Sequence, residues 1–217
     1  MRNTKILEML ESGQIPELKA IIRDEIYRDG IKNSPSALQR HSAMKKYFTY
    51  VRIGNPMLSM PCMVSYRGEK YTAFTNGMSL VLTREECGAM ELFNGRGNYL
   101  DVEKTMPSDW DRDGVSINLN LPLALAKSRG YKIKKSEIEE GDDFKYVFHH
   151  DGAYFKVGVL DSAYAIINDG TTARVYRPRD ANMYSPMIIT NSIGICLILP
   201  FKYITEKCGV TVIGLFG

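Results

Sequence analysis

The chain has 217 residues, 44% hydrophobic and 24% charged, with 28 basic against 25 acidic side chains and a formal net charge of +3. These are the proportions of a folded globular protein, and they exclude a mainly disordered, collagen-like or disulfide-scaffold chain. So small a net charge does not by itself argue for a nucleic-acid partner.

No window approaches 18 uninterrupted apolar residues, so no spanning helix is expected. Glu8 and Glu11 interrupt any signal-type apolar run near the N-terminus. Cys62, Cys87, Cys196 and Cys208 form no C-x-x-C pair and read as reduced thiols, which predicts a cytoplasmic protein.

Residues 4 to 29 read as helix, broken at Gly13 and Pro16 and resumed by Leu18, Ile21, Ile22 and Ile26, with Asp29-Gly30 as its close. Ser34-Pro35 predicts the start of a further helix, serine as cap and proline in the first turn, running to about Val51. After Gly54-Asn55-Pro56 the pattern becomes short β-leaning runs (57–66, 71–75 and 79–83) separated by turn signals at Arg67-Gly68 and Asn76-Gly77. Asn94 to Asn98 is a glycine-rich loop, followed by an irregular acidic segment up to Gly114. Leu121 to Arg129 reads as a short helix capped by Asn120. A hairpin is expected across His150-Asp151-Gly152, then a helix over 158–168, then strands over 172–176, 187–190 and 195–201.

The chain also carries an internal echo. Phe74-Thr75-Asn76-Gly77-Met78-Ser79-Leu80-Val81-Leu82 recurs as Ile189-Thr190-Asn191 followed by Ile195 to Leu199, read with a turn two residues longer in the later copy. Each copy follows a helix-then-strand segment, so the expected architecture is α+β with two similar α-β-β-β halves.

The run Asn55-Pro56-Met57-Leu58-Ser59-Met60-Pro61-Cys62-Met63-Val64, with the Thr75-Asn76 turn, resembles the first-half pattern of DNA polymerase sliding clamps. Tyr184 to Thr190 and Leu197 to Lys202 resemble the closing strands of a bacterial clamp domain, and Val102 to Pro107 is similar to the connector between clamp half-domains. The resemblance covers about residues 35 to 203, apart from much of 108 to 143. It implies a DNA-clamp-like domain over 34–205, with a first half at 34–95, a connector at 96–139 and a second half at 140–205. An N-terminal helical segment (1–33) precedes it and a C-terminal tail (206–217) follows. In clamps the half-domain helices face the duplex backbone without reading sequence, which implies that role for Arg40, Lys45 and Lys46. The helix over 158–168 carries Asp161 and no basic residue. The positions matching the apolar pocket by which clamps take partner peptides are Leu199, Pro200 and Phe201.

Charge adds a second basic region. Lys127, Arg129, Lys132, Lys134 and Lys135 form a block without an acid, followed by Glu137, Glu139, Glu140, Asp142 and Asp143. Such a sign change can orient a protein on phosphates, although a solvated, locally neutralised loop has the same composition. Asp109, Asp111, Asp113 and Gly114 match the opening of an EF-hand loop. The twelfth position is Asn120, which lacks the bidentate carboxylate, so an acidic turn is the favoured reading, with Trp110 as a possible anchor to the core. His149 and His150, adjacent on a strand, point to opposite faces and cannot chelate one metal. There is no G-x-S-x-G elbow, no phosphate loop and no dinucleotide fingerprint.

The expected protein is therefore not an enzyme and uses no cofactor. It reads as an accessory protein of DNA replication or repair, of phage or mobile-element type, that meets double-stranded DNA or replication and repair proteins. The alternative is an interaction or assembly module of the same shape without DNA contact. Either can be a homo-oligomer, and no membrane partner is expected.

Overall fold

A computed structural model describes residues 9–54, 61–85, 101–108, 110, 115–117, 121–134, 137, 145–178, 180–201 and 210–214. The chain is mixed α+β with two sheets. In chain order the elements are α1 (Ile15–Ile31), α2 (Pro35–Gly54), β1 (Cys62–Tyr66), β2 (Glu69–Thr75), β3 (Ser79–Thr83) and α3 (Val102–Thr105). They continue with β4 (Val115–Ile117), α4 (Pro122–Ser128), β5 (Tyr146–His150), β6 (Ala153–Lys156), α5 (Val157–Ile167), β7 (Ala173–Tyr176), β8 (Met187–Thr190), β9 (Gly194–Ile198) and β10 (Thr211–Gly214). Among the described residues no helix is long and apolar enough to cross a membrane.

Local chemistry accounts for most of the boundaries. The Ser34 hydroxyl accepts from the Ala37 amide at 3.4 Å, with Pro35 as the first helical residue of α2. Arg67 and Gly68 both have positive φ, as do Asp151 and Gly152, the backbone that two-residue hairpins β1–β2 and β5–β6 require. α4 is capped differently from the sequence expectation. Its cap position is Leu121, which has no side-chain acceptor, and the Leu123 amide donates instead to Asp161 Oδ1 on α5 at 2.9 Å.

The large sheet has the order β1-β2-β3-β9-β8-β7-β4 and is antiparallel throughout. Its centre is palindromic. Thr75 and Asn76 correspond to Thr190 and Asn191, and the same 115-residue offset carries β3 onto β9, residue for residue. The β2–β3 register (Thr75 opposite Leu80) becomes the β8–β9 register (Thr190 opposite Ile195). Where β3 meets β9, Val81 lies opposite Cys196, its own counterpart, so a local two-fold axis passes through that pair. The two turns have equal length, not one longer by two residues. Asn76 Oδ1 accepts the amides of Met78 (3.0 Å) and Ser79 (2.8 Å), and Asn191 Oδ1 accepts those of Ile193 (2.9 Å) and Gly194 (3.1 Å). The flanking bonds repeat as well: Arg84 N donates to Ile193 O and Leu199 N to Met78 O, both at 2.9 Å.

The sheet is buried on both faces. One face, with Phe74, Val81, Ile189 and Cys196, packs under Met44 and Tyr47 of α2 and under α5. The other, with Val64, Leu80, Leu82, Ile188 and Leu197, is covered by Val102, Met106 and Trp110 of the connector. The small sheet, order β10-β5-β6, sets Phe148, Phe155 and Ile213 into the first of these cores, with β10 parallel to β5. α5 thus lies between the two sheets and has no exposed residue, as its near-continuous apolar sequence demands.

Candidate functional site

The basic residues singled out by sequence are dispersed, and the fold consumes several of them. Arg40 is 5% exposed and turned inward. Its Nε donates to Glu85 Oε1 at 2.8 Å, Nη2 pairs with the same oxygen, and Nη1 reaches the Asn168 carbonyl at 3.3 Å. This guanidinium ties α2 to the ends of β3 and α5, and it is unavailable to a phosphate backbone. A buried arginine with a dedicated carboxylate is a structural tie, since breaking the pair would strand a charge away from water.

Lys45, expected with Arg40 and Lys46 to face the duplex, donates to Asp24 Oδ2 of α1 at 2.6 Å while remaining half-exposed. Asp24 Oδ1 lies 2.8 Å from His41 Nε2, and the His41 ring packs on Tyr27 at a centroid distance of 5.0 Å. Burial pushes the Asp24 carboxyl up, but the hydrogen bonds from Lys45 and His41 outweigh it and hold the group below its ordinary range.

Lys46 and Lys127 are exposed and flank one acid. Lys46 projects from α2 and Lys127 from α4, and both lower the pKa of Asp161, which lies on α5 between those helices. Burial dominates there and leaves the Asp161 carboxyl above its ordinary range, despite the Leu123 amide and the two ammonium groups. Lys132 and Lys134 are also exposed. The Lys134 amide donates to Glu137 Oε2 at 2.8 Å, and Glu137 Oε1 takes the Lys145 ammonium at 3.1 Å, so the acidic run begins by neutralising its own neighbourhood. Arg129 is exposed, and its guanidinium donates to the Gly214 carbonyl, fastening the end of α4 to β10. Lys135 lies outside the described residues, as do Asp109, Asp111 and Asp113. What the structure brings together is therefore a small basic face made by Lys46 and Lys127, with Lys132 and Lys134 further along the chain.

Leu199, Pro200 and Phe201 leave β9 in extended form. Leu199 is 42% exposed, and Phe201 makes an isolated antiparallel bridge to Tyr154, its amide donating to the Tyr154 carbonyl at 3.0 Å. The segment thereby links the large sheet to the edge of the small one. Val212 belongs to β10, which pairs with β5 of this same chain.

Trp110 anchors the connector: it is 5% exposed, donates from Nε1 to the Tyr66 hydroxyl at 2.7 Å and meets Tyr176 edge-on at 5.1 Å. Tyr66 is on β1 and Tyr176 on β7, so one indole joins the outer strands of the two palindromic halves. Sequence reasoning missed a further hub. Arg177 lies over the Phe155 ring and donates to the Asn182 and Asp151 carbonyls at 2.8 and 3.1 Å, fastening the β7–β8 loop to the β5–β6 turn. His150, the last residue of β5 before that turn, is held below its ordinary pKa by burial and then by Arg177. Among the described residues there is no group of three or more side chains able to hold a metal ion. Compared with known proteins, the chain matches no family model, no curated protein and no solved structure.

Proposed function

We propose that the chain is a non-enzymatic accessory protein built as a DNA-clamp-like domain, which sits against the phosphate backbone of double-stranded DNA, without sequence preference, through Lys46, Lys127, Lys132 and Lys134. The observation that carries this reading is the palindromic sheet. The last two strands of two α-β-β-β runs share one register and one Thr-Asn turn, and they meet at Val81 and Cys196, as two similar halves around a local two-fold axis would. The cations on the face of α2 and α4 then supply contacts that position a duplex without reading it. Replication or repair proteins are the partners this reading implies, with the Leu199–Phe201 edge as their seat.

Binding should be sequence-independent and fall steeply with salt, each phosphate contact adding about 0.9 to the slope of log K against log salt. Lys46→Gln with Lys127→Gln should weaken binding to unrelated duplexes by the same factor and reduce that slope by about 1.8. Fluorescence anisotropy with two duplexes of different sequence reads both quantities. No binding at low ionic strength overturns the proposal.

A second reading has its own support: an interaction or assembly module of the same shape that does not touch DNA. α5 has no exposed residue, and Arg40 is held by Glu85, so one of the two half-domain helices and one of the three α2 cations are withdrawn from any duplex. Under this reading the purified chain ignores DNA, and sedimentation shows a closed oligomer.

A further inference from the structure

We infer that the outward face of α1 is a self-association surface, which pairs antiparallel with α1 of a second copy of this chain. The inference holds under either functional reading above, because it uses none of the cations assigned to DNA.

Three observations support it. The first is spacing. Ile15, Lys19, Ile22, Ile26 and Asp29 follow one another at intervals of four, three, four and three residues, the spacing of successive a and d positions in a coiled coil. They form one stripe along about 21 Å of the helix. The second is exposure. Ile15, Ile22 and Ile26 are 40%, 43% and 67% exposed, and Lys19 and Asp29 are exposed with them. Leu18 is buried, and Asp24 and Tyr27 turn to His41 of α2. α1 thus meets the body of the chain on one side and leaves a seam of isoleucines on the other. The third is charge, and it selects the occupant. Laid antiparallel on its copy so that Lys19 faces the partner's Asp29, the seam sets Ile22 against the partner's Ile26, and the two-fold axis repeats both pairs. Two ion pairs then close the ends of a core of four isoleucines, with Ile15 at the margin of the overlap. A parallel pairing would set Lys19 on Lys19 and Asp29 on Asp29, so the charges admit one direction only. Arg23 borders the seam near the axis, and its length lets the two guanidinium groups turn away from each other into water. A seam this short buries less than the roughly 800 Å² per partner of a standard interface, so the dimer should dissociate on dilution.

Sedimentation velocity of the full chain, from micromolar to submillimolar concentration, tests this. The sedimentation coefficient should rise with concentration toward that of a dimer. Ile26→Asp should weaken association at least about 30-fold, since the axis places the new charge twice against an isoleucine. Lys19→Glu and Asp29→Lys should each weaken it about 5- to 20-fold by setting like charges opposite one another. The two reversals together should return it to within about threefold of the parent. Arg28→Glu, an equal charge change at an exposed position on another side of α1, should alter it less than about twofold. Thermal melts by circular dichroism that match the parent's show that the variants keep the fold. Any one of three results overturns the proposal: a parent that stays monomeric throughout, an Ile26→Asp variant that associates like the parent, or charge reversals that do not compensate. None of them bears on the DNA reading, which the anisotropy titration decides.

Discussion

The two halves of the large sheet repeat one another in register, turn and flanking hydrogen bonds, yet they differ where each meets its helix. In the first half the position after the turn is Ser79, whose hydroxyl lies 3.0 Å from that of Tyr47 on α2. Its counterpart in the second half is Gly194, where a Cβ would lie 2.1 Å from the Leu82 carbonyl oxygen and 2.9 Å from Ile167 Cγ2. The second half therefore has no room for a side chain at this position, first against the neighbouring strand β3 and then against Ile167 of α5, and the second turn is sewn to that helix by Asn191 Nδ2, which donates to the Ile167 carbonyl at 2.6 Å. α2, by contrast, meets its half through hydroxyls and the Arg40–Glu85 pair and keeps an exposed basic side. A repeated strand pattern has been given one helix for the core and one for the surface.

The largest break in this comparison should come from the residue the halves share. Trp110→Ala removes the buried indole between Tyr66 and Tyr176 and should cost about 3–5 kcal/mol, because it leaves a large cavity on the connector side of the sheet. Trp110→Phe keeps most of the ring and gives up the 2.7 Å bond to the Tyr66 hydroxyl, so it should cost less. Chemical denaturation of both variants separates the packing and hydrogen-bond parts.

Gly194→Val against Ser79→Ala comes next. The valine meets a backbone carbonyl, which cannot swing aside as a side chain can, and a loss of about 3 kcal/mol is expected. Ser79→Ala leaves the Tyr47 hydroxyl without that bond and should cost about 1 kcal/mol. Equal losses at the two positions would mean that the second half can make room for a side chain beside Leu82 and Ile167. The same contrast should appear in the turns. Asn191→Ala should cost about 2–3 kcal/mol and Asn76→Ala about 1–2 kcal/mol, since only the Asn191 side chain also reaches the carbonyl of α5.

How much of this was legible in the sequence depended on range. The turns at Arg67-Gly68 and Asp151-Gly152, the cap at Ser34 and the Thr-Asn echo all express chemistry within a few residues, and all were readable. The longer turn expected in the later copy follows from matching Leu80-Val81-Leu82 to Leu197-Ile198-Leu199, whereas the structure matches them to Ile195-Cys196-Leu197; a continuous apolar run gives no mark of register. Pairings set by the tertiary structure were not readable: Arg40 finds Glu85, Lys45 finds Asp24, and the Leu123 amide finds Asp161. That is why the basic face was overestimated. A count of lysines and arginines along a helix carries no record of which acids the fold brings to them. The burial of α5 was partly visible, because Val157 to Ile167 contains a single charged residue, Asp161.

Asp161 and Asp24 supply the smallest expected effect and the finest test of how the two helices differ. Both carboxylates face cations of α2, but their pKa values move in opposite directions: burial raises Asp161, while the bonds from Lys45 and His41 hold Asp24 down. A raised carboxyl binds its proton more tightly in the folded chain. Its contribution to stability is present below the ordinary value of 3.8 and is lost as pH rises through the folded value. A lowered carboxyl does the reverse, contributing above 3.8 and losing that contribution as pH falls through its folded value. Asp161→Asn should therefore leave stability at neutral pH unchanged or slightly higher, since its side-chain oxygen still accepts the Leu123 amide while the buried charge is gone. It should also remove the part of the pH dependence that lies just above 3.8. Asp24→Asn should lower stability at neutral pH and remove the part just below it. Thermal melts from pH 3 to 7 distinguish them, and parallel curves for the two variants would show that both acids sit in equivalent surroundings.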